Sequence, residues 1–169
     1  SAALLALALQ ALGARAAAAN VHQAGLLLPA ERTTPGASRV SPLRLRALIA
    51  EHDVVVVPGF LARGAGDAIV SLGRGGSDLT AVLLAAGLGA SPCELLKDVP
   101  GYFTADPKRD PGARPIPALS YTHALAMADE GCELVQRHAL DAARQHQVPL
   151  RISAIGQPSG TWIDTDITS

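Results

Sequence analysis

The apolar residues of this chain follow helical spacing in some segments and form compact β-branched runs in others. Within residues 1–19 they repeat at helical spacing, and Gln10 and Arg15 interrupt the run. No basic segment precedes these residues, and alanine supplies much of their apolar content. The pattern therefore predicts an opening helix that packs against the protein, rather than a targeting or membrane-spanning segment.

A second signal is the run Val54–Val57, which is apolar on both faces and predicts a buried strand of the parallel type. A glycine-rich loop over residues 61–76 follows, and Ser77 and Asp78 then open a helix that ends near Leu88. The other predicted strands are 15–21, 93–97, 149–154 and 160–163, with a further apolar stretch at 24–28. The other predicted helices are 42–51, 121–130 and 136–145. The main predicted loops are 30–41 and 98–117. Strands that alternate with helices predict an α/β fold, a three-layer sandwich around a mostly parallel sheet.

Composition narrows the functional classes. The chain has 169 residues, 49% of them hydrophobic, and a net charge of -1, which predicts one compact domain over residues 1–169 and no basic surface for nucleic acid or an anionic membrane. Cys93 and Cys132 are far apart and form no metal-binding pair, and the five histidines are scattered, so we predict neither a disulfide nor a bound metal. A reducing cytoplasm is the expected location.

The segment Gly73-Arg74-Gly75-Gly76-Ser77-Asp78 lies where a loop delivers the chain to the start of a helix. Glycines allow the backbone to approach an anion, the helix start presents N–H groups, and an arginine fork suits a carboxylate or phosphate. The segment therefore predicts an anion site. The alternative is that Ser77 or Asp78 only caps the helix and the glycines only form a turn.

Other phosphate-binding and catalytic motifs do not fit this segment. A P-loop requires Gly-Lys followed by Ser or Thr, and the chain contains no Gly-Lys pair. A dinucleotide fingerprint that starts at Gly64 has Ile69 where its last small residue belongs, and a nucleophile elbow around Ser77 has Leu79 where its last glycine belongs.

Residues 55–78, which read VVVPGFLARGAGDAIVSLGRGGSD, resemble the stretch of aspartokinases in which a strand ends in Gly-Phe and the chain reaches LGRGGSD. Residues 97–108, KDVPGYFTADPK, are similar to the family's TDVxGxYTADPR nucleotide segment. Residues 158–161, PSGT, resemble its closing PxxGT. The resemblance covers nearly the whole chain and implies the amino-acid-kinase fold, which is also the fold of carbamate kinase.

The resemblance also implies roles for single residues. Phe60, Arg74, Ser77 and Asp78 would face the amino-acid substrate. Arg74 and Asp78 would be catalytic, the first by pairing with a substrate carboxylate and the second by orienting the catalytic lysine. The residues implied around the nucleotide are Gly73, Gly75, Gly76, Asp98, Phe103, Asp106, Lys108 and Arg114.

An aspartokinase transfers the γ-phosphoryl group of ATP to the β-carboxylate of L-aspartate. Its catalysis consists of positioning plus neutralisation of charge by Mg²⁺ and basic side chains. The resemblance thus implies ATP, Mg²⁺ and L-aspartate as ligands, in the biosynthesis of lysine, threonine and methionine.

The chain departs from the aspartokinase pattern in several places. It contains neither the KFGGTS segment that holds the family's catalytic lysine nor a regulatory ACT region, so we expect a carboxy-terminal, nucleotide-binding portion of a kinase domain that needs further residues for phosphoryl transfer. Lys97 and Phe103 replace a usual threonine and tyrosine. A non-catalytic kinase-like module, or a related kinase with another acidic acceptor, remains an alternative. Exposed sheet edges would favour a homodimer.

Overall fold

The computed structural model describes residues 2–28, 39–157 and 159–165. The chain divides into two compact units, residues 1–89 and residues 90–169. Most of the predicted loop at 30–41 and Pro158 of the last motif lie outside the described residues. The single domain predicted from composition stays a prediction.

The first unit contains four helices and six short strands among its described residues. In chain order they are α1 (Ala2–Ala11), β1 (Ala16–Ala18), α2 (Val21–Ala24), β2 (Leu26–Leu27), β3 (Arg39–Val40), α3 (Leu43–Glu51), β4 (Val54–Val56), β5 (Leu61–Arg63), β6 (Ile69–Ser71) and α4 (Gly76–Leu88). Strands β1 and β4 pair in parallel, and the other sheet has the order β3-β2-β5-β6, in which only β2 and β5 are parallel.

Local sequence explains several boundaries of this unit. Asn20 and Gln23 form a reciprocal capping box at the start of α2, with both side-chain to backbone distances at 2.9 Å. The helix ends at Gly25, whose φ of 71° places it in the left-handed region. A side chain on Gly25 would also collide with the carbonyl oxygen of Ser41. Glycine is therefore required where α2 turns into β2.

The segment between β4 and α4 differs from the predicted glycine-rich loop. Residues 61–71 form a hairpin of β5 and β6, whose connecting turn includes a short 3-10 helix, Ala65–Asp67. An Arg63–Asp67 ion pair at 2.7 Å spans that turn. The loop prediction was wrong here because two three-residue strands pair across the glycine-containing turn, with Ala62 opposite Val70, and strands this short leave no visible period in the sequence.

Strand β4 is parallel, as predicted, but it is not buried. Val54 is 37% exposed and the other two residues of the strand are half-buried. Within the described residues β4 pairs only with β1, so its outer edge and part of its faces lack neighbours that would cover them. The prediction of a buried strand is corrected accordingly.

The second unit contains a four-stranded sheet and two helices among its described residues. Its elements are β7 (Cys93–Lys97), β8 (Ala118–Ser120), α5 (Tyr121–Asp129), α6 (Arg137–His146), β9 (Leu150–Ala154) and β10 (Gly160–Asp164). The order is β7-β9-β10-β8, with β9 and β10 antiparallel and the other pairs parallel. The fully buried residues Leu150, Ile152 and Ile163 give the sheet one apolar face.

The predicted α/β class with mostly parallel pairing is confirmed, since four of the seven pairings between described strands are parallel. The described strands form three sheets instead of one. Predicted helices and strands of the second unit agree with the structure to within about two residues, except β8, which was not predicted. No helix within the described ranges is long and apolar enough to cross a membrane.

Candidate nucleotide and substrate sites

We call residues 73–78 the glycine turn. Gly73 and Gly75 have φ values of 81° and 70°, a conformation that favours glycine. Gly75 is the residue before the first turn of α4, and the amide of Gly76 donates to the carbonyl of Gly73 at 3.0 Å. The turn thus leads the backbone directly into the positive end of a 13-residue helix.

Phe60 packs against the glycine turn. Its amide donates to the Thr80 hydroxyl at 3.1 Å, and its carbonyl accepts from the Leu72 amide at 2.9 Å. A Cβ on Gly76 would lie 3.2 Å from the Phe60 ring and 2.8 Å from the Leu72 side chain. Only glycine at position 76 therefore permits this approach of the two segments.

Phe60 itself has a φ of 74°, which is rare for an aromatic residue, and it is 42% exposed. Next to it, a Cβ on Gly59 would lie 3.1 Å from the hydroxyl oxygen of Ser77. The structure therefore brings together Phe60, Ser77 and the three glycines of the turn. Strained backbone of this kind is concentrated at functional sites.

The side chains of the turn differ in exposure: Arg74 and Ser77 are exposed, and Asp78 is half-buried. The N-cap position of α4 belongs to Gly75, so neither Ser77 nor Asp78 occupies it. The choice between a binding role and a structural role for these two residues stays a prediction. Asp78 lies in the first turn, where a carboxylate is favoured by the helix dipole.

A cavity of about 560 Å³ lies beside the loop that follows β7. We call it the loop cavity. Phe103, Asp106 and Lys108, all predicted nucleotide residues, line it. Its other wall comes from the end of α5 and the connection to α6, with Met127, Glu130, Gly131, Cys132, Glu133 and Leu134. The volume lies within the range of small-molecule sites.

Side chains that bond to the backbone hold this loop in shape. The Asp106 carboxylate accepts a hydrogen bond from the Lys108 backbone amide at 2.9 Å. The backbone carbonyl of Asp106 accepts from the amides of Arg109 and Asp110 at 2.9 and 2.8 Å. Thr104 and Arg114 face each other, with the Arg114 amide donating to the Thr104 hydroxyl at 3.0 Å. Asp106 is thus a turn former and a cavity residue at once.

The segment before Phe103 is fixed to β10. The Tyr102 amide donates to the Thr161 hydroxyl at 2.8 Å, and that hydroxyl donates to the Ile116 carbonyl at 2.6 Å. Gly101 has a φ of 143°, and a Cβ there would lie 2.5 Å from the Thr161 hydroxyl oxygen. Tyr102 and Thr161 are each 1% exposed. A buried threonine therefore sets the position of the cavity wall.

Five predicted nucleotide residues do not line the loop cavity: Asp98, Arg114 and the three glycines of the glycine turn. Asp98 is exposed just after β7, and Arg114 is exposed opposite Thr104. Conversely, sequence reasoning missed the wall formed by residues 127–134, which are distant in the chain and have no motif of their own. Among the residues that the structure describes, no group of three or more histidine, cysteine, aspartate or glutamate residues could hold a metal ion.

Comparison with known proteins identifies the family. The sequence profile of the amino acid kinase family matches residues 1–153. The chain belongs to the amino acid kinase family. The match includes the glycine turn, the loop cavity and nearly all of β9, so both candidate sites lie in sequence that the family shares.

Within the amino acid kinase family the chain is similar to aspartokinases, as its motifs predicted. It is 37% identical over 168 residues to the aspartokinase of Mycolicibacterium smegmatis, which corresponds to 98% of this chain and 40% of that protein. The aspartate kinase of Synechocystis superposes with a TM-score of 0.81 at 32% identity, over 98% of this chain and 27% of the other. The chain therefore spans well under half the length of these relatives.

The structure of Escherichia coli aspartokinase III in complex with aspartate and ADP, in the R-state, is also similar. It superposes with a TM-score of 0.80 at 25% identity, over 99% of this chain and 39% of that chain. This relative binds a nucleotide and an amino acid, the two ligand classes predicted for the glycine turn and the loop cavity.

Proposed function

We propose that this chain supplies the nucleotide site and part of the substrate site for ATP-dependent phosphorylation of L-aspartate at its β-carboxylate. The observation that carries the proposal is the loop cavity, which gathers Phe103, Asp106 and Lys108 in a chain similar to aspartokinases. The bound aspartate and ADP of the E. coli relative support the choice of ligands. The product would be 4-phospho-L-aspartate, and its formation would be the first step of lysine, threonine and methionine biosynthesis.

At the glycine turn, Arg74 would pair with a carboxylate of aspartate through its planar fork. Phe60 and Ser77 would contact the rest of the amino acid, since the structure holds both beside the start of α4. Asp78, in the first turn of that helix, would orient the catalytic lysine of the KFGGTS segment that the family carries. The exposure of Arg74 and Ser77 leaves both side chains accessible to a substrate.

In the loop cavity, Phe103 would contact the nucleoside and Lys108 would neutralise phosphate charge. The Asp106 carboxylate would accept hydrogen bonds from the ribose hydroxyls and would retain its bond from the Lys108 amide, which holds the turn. Asp98 and Arg114, outside the cavity, would reach the ribose and the phosphates from its rim. For Gly73, Gly75 and Gly76, the aspartokinase motif implies backbone contact with phosphate, which the helix start after them would favour.

The reaction itself demands little covalent chemistry from the protein. An oxygen of the aspartate β-carboxylate attacks the γ-phosphorus of ATP, the bond from that phosphorus to the β-phosphate oxygen breaks, and ADP leaves. Mg²⁺ would arrive as part of the Mg-ATP substrate and would neutralise phosphate charge. The protein's contribution is position and charge.

Calorimetric titration of the 169-residue chain with Mg-ATP tests the proposal. We expect saturable binding that weakens about tenfold in Lys108→Ala, which removes a charged contact to phosphate. Arg144→Gln is the control, because it removes an exposed arginine of α6 that does not line the cavity. Equal affinity of wild type and Lys108→Ala, or no binding by a folded sample, would contradict the proposed nucleotide site.

A second titration, with L-aspartate in the presence of Mg-ADP, tests the glycine turn. Arg74→Ala should lose aspartate binding while its affinity for Mg-ADP changes by less than about twofold. Loss of both affinities together would show that Arg74 supports the nucleotide instead of the amino acid.

We also propose that the protein works in the cytoplasm and associates as a homodimer. Apolar side chains of the first helix support association, since Leu4, Leu5 and Leu7 of α1 are 67%, 53% and 60% exposed. Sedimentation velocity over a range of concentrations should show a rising average mass. A constant monomer mass would argue against the dimer.

A further inference from the structure

A second cavity, of about 470 Å³, shares Tyr102 and Phe103 with the loop cavity as lining residues. We call it the tryptophan cavity. Its walls are mostly apolar, with proline and aromatic side chains and a single charged residue. The lining residues are Pro100, Tyr102, Phe103, Pro115, Pro117, Arg151, Ser159, Gly160, Thr161 and Trp162. The aspartokinase roles proposed above use none of the residues that distinguish this cavity from the loop cavity.

The charged residue, Arg151, is held on both sides. Glu94, Arg151 and Trp162 are register partners on the neighbouring strands β7, β9 and β10, so their side chains share one face of the sheet. The Arg151 guanidinium lies 6.0 Å from the centre of the Trp162 ring and 3.2 Å from the Glu94 carboxylate. The Ser153 hydroxyl donates to the same carboxylate at 2.8 Å. A cation is thus fixed beside an apolar wall before any ligand arrives.

We infer that the tryptophan cavity binds a small aromatic carboxylate. The volume suits a molecule of one or two rings, and the proline and aromatic walls favour a flat apolar group. Arg151 has a five-donor fork, which allows it to bond a ligand carboxylate in addition to Glu94. Trp162 is 44% exposed, so part of its surface is accessible for contact.

Occupancy of this cavity would also affect nucleotide binding, and this part of the inference rests on the proposed function. Phe103 lines both cavities. The backbone beside it is fixed to β10 through the Thr161 hydroxyl, and β10 also carries Trp162. A ring bound against Trp162 would therefore restrict the positions open to the Phe103 side chain, which the nucleotide would contact in the loop cavity.

Benzoate is the probe for the site. Trp162 is the single tryptophan of the chain, so its fluorescence reports directly on this cavity. We expect saturable quenching by benzoate, an affinity about tenfold weaker in Arg151→Gln, and partial recovery in Arg151→Lys, which keeps the charge but loses the fork. Arg144→Gln removes an exposed arginine of α6 that does not line the cavity, and should bind benzoate like wild type.

Two results would overturn the assignment. Benzyl alcohol, which keeps the ring and lacks the charge, should bind at least about tenfold more weakly than benzoate, so equal binding would rule out a carboxylate site. Absence of saturable quenching in a chain that circular dichroism shows to be folded would rule out the site altogether. If Arg151→Gln does not fold, the Arg151→Lys variant and the benzyl alcohol comparison still decide the question.

Calorimetry with Mg-ADP in the presence and absence of saturating benzoate tests the coupling. We expect the affinity for Mg-ADP to change by about threefold or more, and the ratio to approach one in Phe103→Ala. No change in wild type would overturn the coupling. If benzoate binds but Mg-ADP does not, the proposed nucleotide site fails and the benzoate site stands.

Discussion

Two buried threonines, one in each unit, hold the two candidate sites by the same means. Thr80 of α4 accepts from the Phe60 amide at 3.1 Å and donates to the Gly76 carbonyl at 2.8 Å. Thr161 of β10 accepts from the Tyr102 amide at 2.8 Å and donates to the Ile116 carbonyl at 2.6 Å. In each case one hydroxyl satisfies two backbone groups and fixes an aromatic segment beside a predicted ligand.

The two arrangements differ in what the hydroxyl connects. Thr80 bonds to a carbonyl four residues earlier in its own helix, a group that the helix would satisfy without it. Thr161 connects two loop segments that are 59 and 45 residues away in sequence. The segment around Tyr102 is therefore tied to β10 by a distant side chain, whereas one of the two bonds of Thr80 lies within its own helix.

The largest loss of stability is expected from Gly101→Ala. The new methyl group would lie 2.5 Å from the hydroxyl oxygen of Thr161 and 2.9 Å from the backbone nitrogen of Thr161. The backbone φ of Gly101 is 143°, which strains any other residue. We expect the free energy of unfolding to fall by about 3 kcal/mol or more, measured by urea denaturation. Gly131→Ala is the matched control, because its φ of 98° is also positive but nothing lies within 4 Å. Equal losses would show that backbone conformation, and not contact with Thr161, requires glycine at position 101.

Next in size is the contrast between Thr161→Val and Thr80→Val. Valine has the same shape but leaves the backbone partners unsatisfied. We expect a loss of about 2 to 3 kcal/mol for Thr161 and about 1 kcal/mol for Thr80 in the free energy of unfolding. Urea denaturation of the two variants side by side measures the difference. A larger loss for Thr80 would reverse the conclusion drawn from their partners.

The smallest change in stability is expected at a third buried hydroxyl, the phenol of Tyr121. Unlike the two threonine hydroxyls, this group titrates. Tyr121 donates to the Val148 carbonyl at 2.6 Å, and burial, with a contribution from Asp164, raises its pKa from 10.0 to about 12. Because the folded-state pKa lies above the unfolded value, the stability that the neutral phenol contributes is complete below about pH 10 and is lost as the pH rises towards 12.

Tyr121→Phe should therefore cost about 1 kcal/mol near neutral pH, because it removes one buried hydrogen bond. Its free energy of unfolding should also fall less steeply than that of wild type between about pH 9 and pH 11. Urea denaturation across that range compares the two slopes. Parallel slopes would mean that Tyr121 does not carry the alkaline sensitivity.

Sequence alone predicted the elements whose signal is local. The helix opened at Ser77 and Asp78 and the strand over Cys93–Lys97 are present, with the helix starting one residue earlier at Gly76. Runs of apolar residues, and glycines that must adopt positive φ, explain that success. The hairpin of β5 and β6 was missed because its strands are three residues long, too short for a period to be seen.

For the sites, the motifs grouped Phe103, Asp106 and Lys108, and the structure places these three residues around one cavity. They could not predict that Asp98 and Arg114 fall outside it, since this depends on how Asp106 and Thr104 fold the loop through bonds to its backbone. The opposite wall, and the tryptophan cavity, arise from residues brought together only by the sheet order. Such contacts between distant segments leave no local pattern in the chain.

The backbone of Phe60 limits which residues can replace it at the proposed substrate site. Its φ of 74° belongs to a region that asparagine, aspartate and glycine tolerate well and that β-branched residues avoid. Fewer than twenty amino acids are therefore compatible with the backbone conformation at position 60. Valine, isoleucine and threonine at position 60 should lower the free energy of unfolding, so polar or small variants are better suited to testing the proposed substrate role of Phe60.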